Sequence, residues 1–185
     1  MKFSIVSAAV VLAVGAVPCQ VFAGVDGTIT FEGGLSPTTC LVEGQDPGHG
    51  NADKTVDMHH PPVGAFQQPA STGDAVPFEI VIGGNGDASC TNGHIAYVEF
   101  DGTSQSIDAN TGYLNPDPGG AQNIQIQILN KDGTVINLAD GGVSEGVQIT
   151  NNQAKIPMDA RYYSANGHAT VGEVNARVGY EVVYD

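Results

Sequence analysis

Three cysteines and five histidines are the residues of this chain best suited to redox or metal chemistry. Cys19 falls inside an apolar leader, and Pro18 directly before it suits lipid attachment badly. That leaves Cys40 and Cys90, which in an oxidising compartment are expected to form a structural disulfide. Such a bridge closes a loop of about 50 residues, worth roughly 4 kcal/mol by the chain-entropy model. A metal would need more ligands than two thiols. His49, His59 and His60 share a stretch with Asp53 and Asp57, and imidazole with carboxylate suits Zn or Cu. Adjacent His59 and His60 would point to opposite faces of a strand, however, and no HxH or HExxH spacing is present, so a solvated loop is expected. The Asn115-Pro116-Asp117-Pro118-Gly119-Gly120 run lacks the spaced carboxylates of a calcium loop and reads as a surface turn. There is no GxSxG elbow, and no His sits in a recognisable nucleophile-base setting. The acidic residues are scattered through loops, so no glycosidase pair stands out. No catalytic, cofactor or metal site is expected.

The elements around these residues begin with the leader. Met1-Lys2-Phe3 supplies a short positive start, residues 5–17 are almost entirely apolar, and Val21-Phe22-Ala23 is a small-x-small cleavage site. Residues 1–23 read as a secretory signal peptide, too short for a stable membrane span, and nothing after Gly24 extends the stretch. Export and no membrane insertion follow as expectations. Against six Lys and Arg stand 20 Asp and Glu, a net charge of −14. Phosphate backbones and anionic membranes are repelled by such a chain, so nucleic acid is not an expected partner, and the charge serves solubility.

With 25 Gly, no Trp and 14% charged residues, the chain repeats short apolar-polar alternations between Gly, Asn, Asp and Pro clusters. This is the pattern of an all-β sandwich or barrel. Strands are expected at 39–42, 55–58, 76–82, 95–100, 123–129, 134–138, 146–150, 155–163 and 173–184. Turns fall at 44–50, Pro61-Pro62, Gly83-Gly84-Asn85-Gly86, 115–120, Lys131-Asp132-Gly133, Gly141-Gly142 and Asn166-Gly167. The cleanest alternation, Ile124-Gln125-Ile126-Gln127-Ile128, predicts isoleucines inside and glutamines outside. No sustained 3.6 period appears, so at most one short helical turn is expected, in a single domain.

Both ends of the mature chain alternate with period two. Val25, Gly27, Ile29, Phe31, Gly33 and Leu35 share one parity, as do Ala176, Val178, Tyr180, Val182 and Tyr184. Each segment reads as a strand with one buried face, yet neither has an adjacent partner strand in sequence. From the residues alone, the first could fold back into its own domain, and the last could close an ordinary sandwich.

The run Ile156-Pro157-Met158-Asp159-Ala160-Arg161-Tyr162-Tyr163, then Gly172-Glu173-Val174-Asn175-Ala176 and a closing alternation through Tyr184, resembles the end of type 1 fimbrial (pilin) subunits of the chaperone-usher pathway. Gly27-Thr28-Ile29-Thr30-Phe31-Glu32-Gly33, a few residues before Cys40, resembles the pilin N-terminal extension. Ile126-Gln127-Ile128-Leu129-Asn130-Lys131-Asp132-Gly133 matches the middle. The pieces occur in the right order over essentially the whole mature chain.

The resemblance implies an incomplete immunoglobulin-like β-sandwich, lacking its last strand and completed by a donated one. The implied domains are a donor extension at 24–37 and a pilin domain at 38–185. A periplasmic chaperone would fill the groove, and at an outer-membrane usher the next subunit's extension would replace it. The donor residues would be Val25, Gly27, Ile29 and Phe31. Burying the three large ones corresponds to about 5–9 kcal/mol before ordering, with ladder hydrogen bonds adding roughly 0.5–1.5 kcal/mol each. Ala176, Val178, Tyr180, Val182 and Tyr184 would form the groove edge, with the Asp185 carboxylate gripped by basic residues of the chaperone. The implied partners are copies of the chain and other pilins, the chaperone and the usher. The implied function is a non-catalytic, major-type subunit of an adhesive fimbria on the cell surface. The alternatives are a minor adaptor near the fibre tip, or a secreted carbohydrate-binding sandwich. Type 1 adhesins, though, place a binding domain before the pilin domain, for which this chain lacks room. One departure is the His-rich 44–62 segment, somewhat longer than in familiar major pilins.

Overall fold

Alternation sustained over twelve residues, Gln153–Ser164, produces the longest strand, with Ala154, Ile156, Met158, Ala160, Tyr162 and Ser164 all buried on one face. The structure is a computed structural model that describes residues 40–185. The expected leader, the donor segment and residue 39 lie outside the described residues. In chain order the strands are β1 (Ser71–Thr72), β2 (Val76–Gly83), β3 (Ile95–Phe100), β4 (Gln125–Asn130), β5 (Val147–Gln148), β6 (Gln153–Ser164) and β7 (Tyr180–Tyr184). They form two antiparallel sheets facing each other across one core, as the sandwich pattern predicts.

In the first sheet β6 is central. One of its edges pairs with β4, from Gln125↔Tyr163 to Asn130↔Met158. The other edge pairs with β1 and then β2. Residues 73–75 there oppose only residues 161–162, so the strand carries one extra residue, a bulge at Gly73 that bends it without ending the edge. In the second sheet β3 lies between β5 and β7, with Ala96, Val98 and Phe100 turned inward. Ile82, Ile156, Met158, Val98, Leu138 and Ile149 fill the space between the sheets with essentially no exposure.

Four expectations change. Gln127 is buried rather than exposed, because both faces of β4 are covered; its Oε1 accepts a 2.7 Å hydrogen bond from Nε of Arg161, its direct cross-strand neighbour. Residues 134–138 make one bridge, Leu129↔Val135, then tighten into a 3₁₀ turn at Leu138–Asp140, capped by Asn137. A second 3₁₀ turn, Val63–Phe66, follows Pro61-Pro62, so the described residues hold two helical turns, not one. Finally, residues 55–58 and 173–179 join no sheet, although their burial alternates. Their alternation was correctly read; a partner strand is what they lack.

Candidate functional site

Those two unpaired segments both set half-buried apolar side chains against the core, as two walls joined by the Tyr180–Ala52 hydrogen bond. The first wall starts at Cys40, whose Sγ is bonded to that of Cys90, both residues fully buried. Leu41 O accepts from Gly83 N (2.6 Å) and Glu43 N donates to Val81 O (2.8 Å), laying residues 41–43 along the outer edge of β2. Asp87 reinforces the start by accepting from Leu41 N at 3.1 Å. Its carboxyl is held below the usual range, first by the Ser89 hydroxyl and then by Leu41 N–H. Beyond a turn the chain resumes at residues 51–61 with Ala52, Val56 and Met58 half-buried. Among the described residues, no backbone-to-backbone hydrogen bond involves residues 51–61. Side chains hold this stretch instead. Tyr180 Oη donates to Ala52 O at 2.5 Å, Tyr162 Oη donates to His59 O at 3.3 Å, and Lys54 meets Glu43 at 3.1 Å.

The second wall is built from Val174, Ala176, Val178, Tyr180, Val182 and Tyr184, all packed against the core yet only partly buried. Their odd-numbered neighbours turn their backbone groups into the domain. Glu173 O and Asn175 O accept from Ala121 N (2.8 Å) and Asp117 N (2.7 Å), Arg177 O accepts from Ser104 Oγ (3.3 Å), and Gly179 O accepts from Asp101 N (2.9 Å). Asp185 N donates to Ile95 O at 3.2 Å. Because backbone direction alternates along a strand, the even residues present their N–H and C=O groups to the other side. Among the described residues no strand pairs with that edge. The same six residues thus offer half-covered apolar side chains and an open row of hydrogen-bonding groups. Such an edge invites another strand.

Burial, reinforced by Glu43 and Asp53, pushes the Tyr180 phenol up to about 12. Burial with Asp87 does the same for Tyr184. Burial also raises Tyr162, with Asp57 and Glu173 adding to it. All three phenols stay neutral at physiological pH, and those of Tyr162 and Tyr180 donate the bonds just described.

The structure brings the five predicted edge residues, Ala176, Val178, Tyr180, Val182 and Tyr184, onto one wall. Val25, Gly27, Ile29 and Phe31 lie outside the described residues. Asp185 is tied within the domain: Oδ1 accepts from Ile95 N (3.1 Å), Oδ2 accepts from Tyr97 Oη (3.3 Å), and its main-chain oxygen is 2.8 Å from His94 Nδ1. His49, His59 and His60 are exposed, with His59 Nδ1 3.8 Å from Asp57 Oδ1. Among the described residues no three His, Cys, Asp or Glu side chains are placed to hold a metal, and no helix is long and apolar enough to cross a membrane. Sequence reasoning missed the opposite wall. The shared parity of Ala52, Val56 and Met58 was its signal, diluted by charged Lys54 between them.

This antiparallel two-sheet sandwich is the pilin fold. The family model described as "Fimbrial protein" matches residues 26–185, and the chain belongs to this family of cell-surface fimbrial subunits. It is 33% identical over 167 residues to the F17 fimbrial protein of Escherichia coli, covering 86% of this chain and 87% of that one. It is 31% identical over 164 residues to the type-1 fimbrial protein A chain of Escherichia coli K12, covering 85% and 83%. The fold is similar to that of the P pilus rod subunit PapA, with TM-score 0.56 and 14% identity over 80% of this chain and 100% of that one.

Proposed function

We propose that these two walls flank a groove that accepts residues 24–37 of another copy, with Val25, Ile29 and Phe31 filling it, so that each subunit is a link that donates one strand and receives another. The observation that carries this reading is the coincidence, on residues 174–184, of six half-covered apolar side chains with an unpaired backbone edge. A strand seated there would gain main-chain bonds along the edge and pockets for alternate side chains. Before assembly, a periplasmic chaperone fills the same groove, and an outer-membrane usher oversees the exchange as the fibre grows to the cell surface. The chain serves as the repeating shaft subunit, a reading supported by its likeness to the type-1 A chain and a rod subunit.

The test is thermal unfolding of a chain starting at Ser36, refolded with its disulfide, with and without a peptide spanning residues 24–35. A large upward shift, abolished by Phe31→Asp in the peptide, supports the reading. A high melting point indifferent to peptide would mean a closed sandwich, and a secreted binding module would take its place.

A further inference from the structure

We propose that Asn85 is a site of spontaneous deamidation, its side chain closing onto the backbone nitrogen of Gly86, and that the fold holds the chain's two other Asn-Gly pairs back from the same reaction. The inference does not depend on how the subunits join.

Asn-Gly is the sequence in which this reaction meets least obstruction, because glycine has no Cβ to shield its nitrogen. The chain contains three such pairs, Asn85-Gly86, Asn92-Gly93 and Asn166-Gly167. The glycine nitrogen attacks the asparagine Cγ and gives up its proton to solvent. The Cγ–Nδ2 bond breaks, ammonia leaves, and a succinimide ring is closed. Water then opens the ring. Attack at Cγ yields aspartate, whereas attack at the main-chain carbonyl carbon yields isoaspartate, with the backbone rerouted through the former side chain.

Ring closure needs a glycine nitrogen that is not engaged elsewhere and a backbone free to rotate it onto Cγ. Asn85 and Gly86 meet both conditions. They are the central residues of a turn closed by Asp87 N, which donates to Gly84 O at 3.0 Å, and the Gly86 φ of +89° makes it type II. Both residues are exposed. Among the described residues, neither the Asn85 side chain nor the Gly86 N–H makes a hydrogen bond, and a Cβ on Gly86 would meet nothing within 4 Å.

Asn92 and Gly93 are exposed as well, yet both reacting groups are tied. Asn92 Oδ1 accepts from Asn152 N at 2.7 Å, and Gly93 N donates to Ile149 O at 3.0 Å. The third pair lacks room. Gly167 is buried, and a Cβ there would fall 2.5 Å from Gln67 O. Hydrogen bonds from Ala70 N to Ala165 O (3.1 Å) and from His168 N to Gln67 O (3.3 Å) clamp the backbone on either side. Freedom of the backbone, rather than exposure, therefore ranks the three. The outcome reaches the first wall, because isoaspartate lengthens the main chain just before Asp87, whose carboxylate receives the Leu41 N–H.

The test ages the folded, disulfide-bonded exported chain in mildly alkaline buffer, digests it at low pH and follows the three Asn-Gly peptides by mass spectrometry, with enzymatic methylation of isoaspartate separating the two products. Asn85 is expected to convert about tenfold faster or more than Asn92, whose two hydrogen bonds must break first, while Asn166 stays intact. In the reduced, unfolded chain all three should convert at comparable rates. Asn85→Ser, at an exposed turn position, should fold normally and lose the early acidic species seen on isoelectric focusing. Conversion of Asn92 or Asn166 in the folded chain as fast as Asn85, the same ranking after unfolding, or early acidic species from the Asn85→Ser chain would each overturn the proposal.

Discussion

The Tyr180 hydroxyl and the Ala52 carbonyl, 128 residues apart in sequence, meet at 2.5 Å and tie the C-terminal strand to residues 51–61. Among the described residues, this contact and the Tyr162–His59 bond are the only hydrogen bonds from tyrosines to the backbone of residues 51–61.

Removing the hydroxyl should loosen that stretch selectively. Tyr180→Phe is expected to lower global stability by only about 0.5–1.5 kcal/mol. Amide exchange near Ala52 and tryptic cleavage at Lys54 should accelerate much more. Equal acceleration across β6 would show that the bond supports the whole domain rather than one wall.

The backbone at Gly83 tolerates no side chain. Its φ is +68°, and a Cβ there would lie 2.6 Å from Cys90 Sγ and closer still to Asn152 O. Gly83→Ala should destabilise the domain by about 2–5 kcal/mol, combining left-handed strain with overpacking. Gly64→Ala, whose Cβ would meet nothing within 4 Å, should stay within about 0.5 kcal/mol. Denaturant titration of the two variants decides the matter.

The Cys40–Cys90 bond is fully buried. Intact mass of the exported protein should show two hydrogens lost and no thiol open to alkylation. Reduction should be slow until the domain unfolds. Replacing both cysteines by Ala should remove up to about 4 kcal/mol, and rapid reduction of the folded protein would contradict the burial.

Stability should fall at both extremes of pH. The Tyr180 and Tyr184 phenols are raised from 10.0 to about 12 in the folded state. Their contribution is complete below pH 10 and disappears as pH rises through about 12. Tyrosinate absorbance should therefore show these two phenols titrating together with loss of β-sheet circular dichroism. Asp87, Asp101, Asp108 and Asp132 are instead depressed below 3.8, in Asp101 and Asp132 chiefly by the side chains of Thr103 and Thr134. Their contribution is present above that value and lost as pH falls beneath it. Thr134→Val should lessen the acid sensitivity, seen as a flatter melting temperature below pH 4.

Where local pattern and pairing coincide, the fold is legible from sequence. Residues 95–100 alternate and form β3 over those same residues, and 155–163 lie within β6. Gln127 escaped because alternation says which residues share a face, whereas what covers the second face depends on Arg161, 34 residues away. Residues 55–58 and 173–179 have strand periodicity without a strand's partner, since pairing is a property of the assembled sheet. The half-buried face of Ala176 through Tyr184 was readable in their parity. The placement of residues 51–61 depended on two tyrosine hydroxyls whose targets are main-chain carbonyls, and a carbonyl leaves no mark on residue type.

The placement of the disulfide has a mechanical side. Among the described residues, tension drawn along the chain into Cys40 first meets a covalent bond to Cys90. The hydrogen bonds of Leu41 and Glu43 to β2 are thereby shielded from being unzipped one after another from the end. Load passes through that bond to the segment leading into β3.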